Sequence, residues 1–94
     1  MAKVRLTRHL HTFFPQLQRD GGLLEIDATS VRELVDSLDR MAPGVAFYLC
    51  DELGRMRPHV NIFIGDERIR DRRQLSDPLT ATSEVTILQA LSGG

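Results

Sequence analysis

Three features of the 94-residue sequence predict an α+β protein, with a mixed sheet of four to five strands packed on one main helix. Apolar and polar residues alternate near the N-terminus, and a central stretch repeats its apolar residues at helical spacing. Two β-branched runs, Val60-Asn61-Ile62-Phe63-Ile64 and Val85-Thr86-Ile87-Leu88, lie in the second half. The implied order is strand, strand, helix, strand, short strand, strand, so the first and last strands can pair in parallel at the centre of one sheet. A chain of this length fits a single domain, taken as residues 1–94.

The first strand is read from Lys3 to Leu10, with Val4, Leu6 and Leu10 at even positions, Arg5, Thr7 and His9 between them, and Arg8 breaking the pattern. Residues 13–22, with Pro15 and the pair Gly21-Gly22, form a turn, and Leu23 to Asp27 return as the second strand of a hairpin. Ser30 stands three residues before Glu33, the spacing of a capping box in which each side chain satisfies a free N–H of the other residue. The helix that begins here places Val31, Leu34, Val35, Leu38 and Met41 on one face. Pro43-Gly44 ends it, because proline cannot continue the ladder and glycine tolerates left-handed geometry.

Residues 45–50 form an apolar run too short to decide between strand and helical turn, followed by a polar loop over 51–58. Val60 to Ile64 is then a strand, Gly65-Asp66 a turn, and 67–70 a short return. Leu75 and Leu79 anchor a run of turn residues before a last strand over Val85 to Leu91.

A net charge of −1 supplies no broad electrostatic pull toward nucleic acid or anionic lipid, so neither is expected as a partner. No apolar stretch approaches the length of a membrane span. Cys50 is the only cysteine, which excludes an intramolecular disulfide and a cysteine-built zinc site. The segment Met1 to Arg5 lacks the apolar core of a signal peptide, and a cytoplasmic location is expected.

The ending Ser92-Gly93-Gly94 admits two readings. Terminal glycines are commonly a frayed tail. Here, however, a strand delivers them into solvent, and Leu91-Ser92 taper in size before two residues with no side chain. An active site that must enclose a main-chain carboxylate can do so only if neighbouring side chains do not collide with its walls, a need that Gly93 and Gly94 meet. Residues 92–94, extended, reach ~10 Å, enough to enter a partner enzyme while the domain stays outside. An α-carboxyl group is ionised at pH 7 and able to attack the α-phosphate of ATP, giving an acyl-adenylate open to a sulfur or nitrogen nucleophile. The reactive group then belongs to the main chain, and the protein is a carried substrate, not an enzyme.

Val60-Asn61-Ile62-Phe63-Ile64-Gly65-Asp66-Glu67, followed by Glu84-Val85-Thr86-Ile87-Leu88 and Ser92-Gly93-Gly94, resembles the second half of the ubiquitin-like sulfur carrier family. That family includes the small subunit of molybdopterin synthase and the sulfur carriers of thiamine and of cysteine biosynthesis, the last being the most similar. The helix and its preceding hairpin fall where this β-grasp family would put them, so the resemblance covers nearly the whole chain. It implies that a ubiquitin-activating-type adenylating and sulfurtransferase enzyme uses ATP to activate Gly94, and that a sulfur donor converts Gly94 to a thiocarboxylate. A sulfur-accepting biosynthetic enzyme would then receive the sulfur for cysteine, molybdopterin, thiamine or a thio-metabolite. No cofactor is expected on the chain itself. The adenylating enzyme's footprint is expected on Leu88, Ala90 and Leu91, since interface centres favour desolvated apolar groups. Two departures bear on the partner's identity: Thr82-Ser83 precede Glu84 where members often have Gly-Asp, and Gln89 stands near the place of a proline. The alternatives are a ubiquitin-like modifier that forms an amide with a target lysine, and a β-grasp module that only binds.

Other candidate groups carry less. His9 and His11 would share one face of the first strand as a metal pair, but no third ligand can be named, so solvent-facing histidines are the better reading and no metal is expected. His59 is read as a strand-edge residue. Arg68, Arg70, Arg72 and Arg73 interleave with Asp66, Glu67 and Asp71, which favours a solvated hairpin over a phosphate grip. Cys50, in an apolar run, is read as a small packed hydrophobe. No acid/base pair, phosphate-cradling loop or Ser/His/Asp arrangement is found.

Overall fold

In the computed structural model, which describes residues 1–17 and 23–89, the alternation in Ala2-Lys3-Val4-Arg5-Leu6 becomes strand β1 (Ala2–Leu6), its even residues buried and Lys3 and Arg5 exposed. The strand stops four residues short of the expected Leu10, and helix α1 (Arg8–Phe13) follows. A strand continued to Leu10 would aim position 8, an arginine, at the core. The helix still buries Leu10, because Leu6 and Leu10 are four residues apart, a spacing that serves a helical turn as well as a strand. A short 3-10 turn over Pro15–Leu17 then buries Leu17. β2 (Leu23–Ile26) returns antiparallel to β1, pairing Ala2 with Ile26 and Arg5 with Leu23.

Helix α2 (Val31–Met41) starts where the capping signal placed it: the Glu33 N–H donates to Ser30 Oγ at 3.2 Å. The return half of the box differs from expectation. The Glu33 carboxylate accepts the Thr29 hydroxyl at 2.6 Å and the Thr29 N–H at 2.7 Å, because Thr29 offers two donors one residue upstream of the cap. Those bonds, the hydroxyl first, hold the Glu33 carboxyl below its ordinary range. Val31, Leu34, Val35 and Leu38, at the spacing of one helical face, are fully buried.

The undecided run is helical, α3 (Val45–Leu49). Gly44 takes φ 107°, where a side chain is strained, and turns the chain. Asp39 Oδ1 then accepts the N–H groups of Gly44 and Ala46, both at 3.0 Å, and so caps a five-residue helix that propensity alone would not hold.

β3 (Val60–Ile64), β4 (Glu67–Arg68) and β5 (Glu84–Gln89) complete a five-stranded sheet in the order β2-β1-β5-β3-β4. β1 and β5 are parallel and every other pair is antiparallel, as expected for the first and last strands meeting at the centre. Gly65, at φ 62°, makes the β3–β4 turn. The core lies between α2 and the inner sheet face, where Val4, Leu6, Val60, Ile62, Val85 and Ile87 are buried together. Leu75 and Leu79, the anchors expected in the long loop, belong to the same core.

Candidate functional site

β5 is the central strand, and the chemistry expected of the chain lies beyond its end. Ala90, Leu91, Ser92, Gly93 and Gly94 fall outside the described residues, and β5 is the root that carries them. β5 has a ladder on each side as far as Ile87, opposite Leu6 of β1 and Ile62 of β3. Past Leu6 the chain turns into α1, so Leu88 and Gln89 keep strand partners on one side only, Asn61 and Val60.

Alternation sorts the side chains of β5 between two surfaces. Val85 and Ile87 point into the core, and Gln89 shares their side, where the Tyr48 hydroxyl of α3 donates to Gln89 Oε1 at 2.6 Å. The Tyr48 ring packs against Phe13 and edge-on against Phe14, with centroids 5.5 and 5.4 Å away. On the opposite, open face stand Glu84, Thr86 and Leu88. Leu88 is 38% exposed, so of the three residues expected to form a partner footprint, the one that is described lies at the surface and outside the core. Across the ladder from Thr86 lie Arg5 and Phe63, flanked in turn by Leu23 and Arg68. The result is a band of apolar and cationic side chains beside Leu88. A shallow depression of about 250 Å³ overlaps this band toward the start of β5, lined by Lys3, Arg5, Leu23, Glu84 and Thr86.

The start of β3, which faces Gln89, is clamped by Arg72. Its guanidinium donates to the carbonyls of Arg57 and Val60, both at 2.8 Å, and approaches Asn61 Oδ1 at 3.4 Å. Arg57 is tied to α3 in turn: its Nε donates to the Phe47 carbonyl at 3.0 Å, and its guanidinium lies 4.9 Å from the centre of the Phe47 ring. Arg72 is therefore no solvated cation of a hairpin, as the charge pattern suggested. Charge interleaving along a sequence does not show that three acceptors converge on one of the arginines.

The neighbouring Asp71 is also structural. Its carboxylate accepts the Gln74 N–H at 2.9 Å, the Ser76 hydroxyl at 2.6 Å and the Arg73 N–H at 3.1 Å, and these donors, Gln74 first, bring its pKa down to about 2.

The histidine pair dissolves. Residues 9 and 11 lie on α1, not on a strand, and residues two apart on a helix do not face each other. Among the described residues no three His, Cys, Asp or Glu side chains gather as metal ligands. His59 is half-buried in the turn before β3. Cys50 is packed as expected, 3% exposed, and burial pushes its thiol above the ordinary range although Arg32 pulls the other way. No helix among the described residues is long and apolar enough to cross a membrane.

Tyr48, Arg72 and the Phe13–Tyr48 contact carried no sequence signal, because each joins segments far apart in the chain. By sequence the protein matches no family profile and no curated protein. By structure it superposes on CysO in the Amycolatopsis orientalis BexX/CysO complex with TM-score 0.80 and 23% identity over all of both chains. CysO of Mycobacterium tuberculosis, an antigen, gives TM-score 0.80 and 22% identity over 97% of this chain and all of the other. The small archaeal modifier protein SAMP1 of Methanosarcina acetivorans gives 0.75 and 22% over 99% and 95%. At these identities the likeness is one of fold, and it shows that the chain adopts the ubiquitin-like β-grasp fold, a mixed five-stranded sheet closed over α2.

Proposed function

We propose that this chain is a sulfur carrier whose Gly94 carboxylate is activated and converted to a thiocarboxylate by a partner enzyme. The observation that carries the reading is the placement of Ser92-Gly93-Gly94 just beyond β5, a central strand anchored on both sides until Ile87 and ending at Gln89. In the first step a carboxylate oxygen of Gly94 attacks the α-phosphorus of ATP and pyrophosphate leaves. In the second, hydrosulfide attacks the carbonyl carbon of the adenylate and AMP leaves, so that one oxygen is exchanged for sulfur with no change of oxidation state. The chain supplies the carboxylate and the docking surface, and ATP is the partner's substrate. Leu88, with Arg5, Phe63 and Arg68 on the same face and with Ala90 and Leu91 beyond it, is the proposed footprint of the adenylating enzyme. That one fold neighbour was crystallised as a BexX/CysO complex supports docking on a second protein.

The test is the intact mass of the protein after incubation with ATP, sodium sulfide and the adenylating enzyme of the same source. The expected result is exchange of one oxygen for sulfur at Gly94, absent without ATP and absent in a chain lacking Gly94. An unmodified mass, with the enzyme shown active on another carrier, would remove the reading. A second reading, a protein modifier, is favoured by the fold shared with SAMP1, named as a small archaeal modifier. There the amine of a target lysine attacks the same adenylate, and lysates would show conjugates retaining a Gly94–lysine amide. Carrier and modifier are thus separated by the nucleophile that takes the acyl group.

A further inference from the structure

The last two described residues of β5, Leu88 and Gln89, are held by something other than a two-sided sheet. On the β1 side the ladder has ended at Leu6, and Gln89 is held instead through its side chain, which accepts the Tyr48 hydroxyl on the helix face of the sheet. On the other side Val60 opposes Gln89, and Val60 is itself fixed: its N–H donates to the Arg57 carbonyl at 3.0 Å while Arg72 holds both carbonyls. Arg57 returns to α3 through its N–H to the Leu49 carbonyl and its Nε to the Phe47 carbonyl, both at 3.0 Å. The contacts therefore form a closed ring that leaves α3 at Tyr48, passes through Gln89, Val60 and Arg57, and re-enters α3 beside Tyr48. The phenol is aimed by two ring contacts, with Phe13 and Phe14, which do not depend on its hydroxyl.

We infer that Tyr48 is a positioning residue. By fixing Gln89 it sets the direction in which the chain leaves β5, and so the fraction of docked molecules whose Gly94 carboxylate meets ATP. The inference rests on the carrier reading above and deepens it. The proposed docking face, with Leu88, lies on the open side of the sheet, whereas Tyr48 acts from the helix side. Loss of the hydroxyl should therefore leave KM for the carrier unchanged and lower kcat.

The experiment uses the full chain with Tyr48→Phe, Gln89→Leu, both together, and Gln89→Glu, whose carboxylate accepts the same hydroxyl. Two readouts are taken: amide hydrogen exchange of each purified protein, and the rate of ATP-dependent sulfur incorporation with sodium sulfide and the adenylating enzyme. Tyr48→Phe and Gln89→Leu should each speed exchange at Leu88 about fivefold, the effect of losing one partly buried hydrogen bond, with no change at Val85 and Ile87. Each should lower kcat by a similar factor, the double variant should be no worse than either single one, and Gln89→Glu should behave as the wild type. Unchanged exchange in Tyr48→Phe, additive losses in the double variant, or faster exchange with an unaltered kcat would each overturn the assignment. A wild-type chain that is never activated overturns the carrier reading and Tyr48's part in it, while the exchange data still decide whether Tyr48 fixes Gln89.

Discussion

Replacing Arg72 by alanine tests whether the start of β3, and with it the base of the C-terminal segment, depends on one side chain. The guanidinium makes two 2.8 Å bonds to main-chain carbonyls, those of Arg57 and Val60, and its 3.4 Å approach to Asn61 is too long to add much. A hydrogen bond to a charged group is worth ~1.5–3 kcal/mol when shielded, and Arg72 is half-buried, which reduces each to about 1 kcal/mol. Arg72→Ala should therefore cost about 2 kcal/mol. Arg72→Lys, whose ammonium lacks the planar fork, should keep one bond and cost about half as much. In a domain of this size 1 kcal/mol moves Tm by roughly 4–8 °C, so alanine should lower Tm by about 10 °C in a thermal melt followed by circular dichroism. Exchange at the Val60 amide should accelerate with it, since that N–H donates to one of the freed carbonyls' residues, Arg57. A loss below about 0.5 kcal/mol, the usual effect of a solvated surface arginine, would refute the clamp and restore the hairpin reading drawn from the charge pattern.

Three further outcomes follow from the same geometry. Asp71, with its pKa depressed to about 2 by the Gln74 N–H and the Ser76 hydroxyl, contributes stability that is fully present above its unfolded value of 3.8 and lost as pH falls through 2; urea melts at pH 5, 3.5 and 2.5 should show that decline, and Asp71→Asn should flatten it. Cys50 should resist iodoacetamide in the native protein and react once it is unfolded, so that alkylation of folded protein after sulfur loading reports the thiocarboxylate alone; rapid native labelling at Cys50 would contradict its burial. Leu88→Asp should leave the stability within about 0.5 kcal/mol of wild type, because the side chain faces solvent, yet weaken binding to the adenylating enzyme at least about tenfold in a titration; unchanged affinity would place the footprint elsewhere.

Local pattern carried the elements whose signals are local. The alternation of β1, the Ser30 cap and the apolar stripe of α2 all repeat within a few residues. The failures have one cause. Leu6 and Leu10 satisfy two periods at once, and only the burial of a charge that a longer strand would demand selects α1. Val45 to Leu49 is helical because Asp39, on a different helix, caps it. The partners of Arg72 lie 11 to 15 residues away and those of Tyr48 and Gln89 41 residues apart, so neither contact leaves a trace in spacing. For the site, the residues proposed to carry the chemistry were legible as a composition, Ser92-Gly93-Gly94, whereas the devices that hold their base appear only in three dimensions.

A carrier whose reactive group is its own main chain faces a mechanical demand that an enzyme with side-chain catalysts does not. A partner that draws the C-terminal segment into a slot pulls on the strand behind it. An edge strand resists through one ladder and can peel away bond by bond. β5 is central and resists through two ladders from Val85 to Ile87, so a pull at Gly94 would be borne by the whole sheet. The weak point is the two-residue stretch after Ile87, where β1 has turned away into α1. There the Tyr48 hydroxyl holds the Gln89 side chain, and Arg72 holds the facing start of β3 through the carbonyls of Arg57 and Val60. On the proposed function, the early end of β1, the feature in which the fold departs most from the sequence pattern, leaves the last two described residues of β5 to one strand partner and the Tyr48 hydroxyl, and it is there that a pull on the C-terminal segment would be felt first.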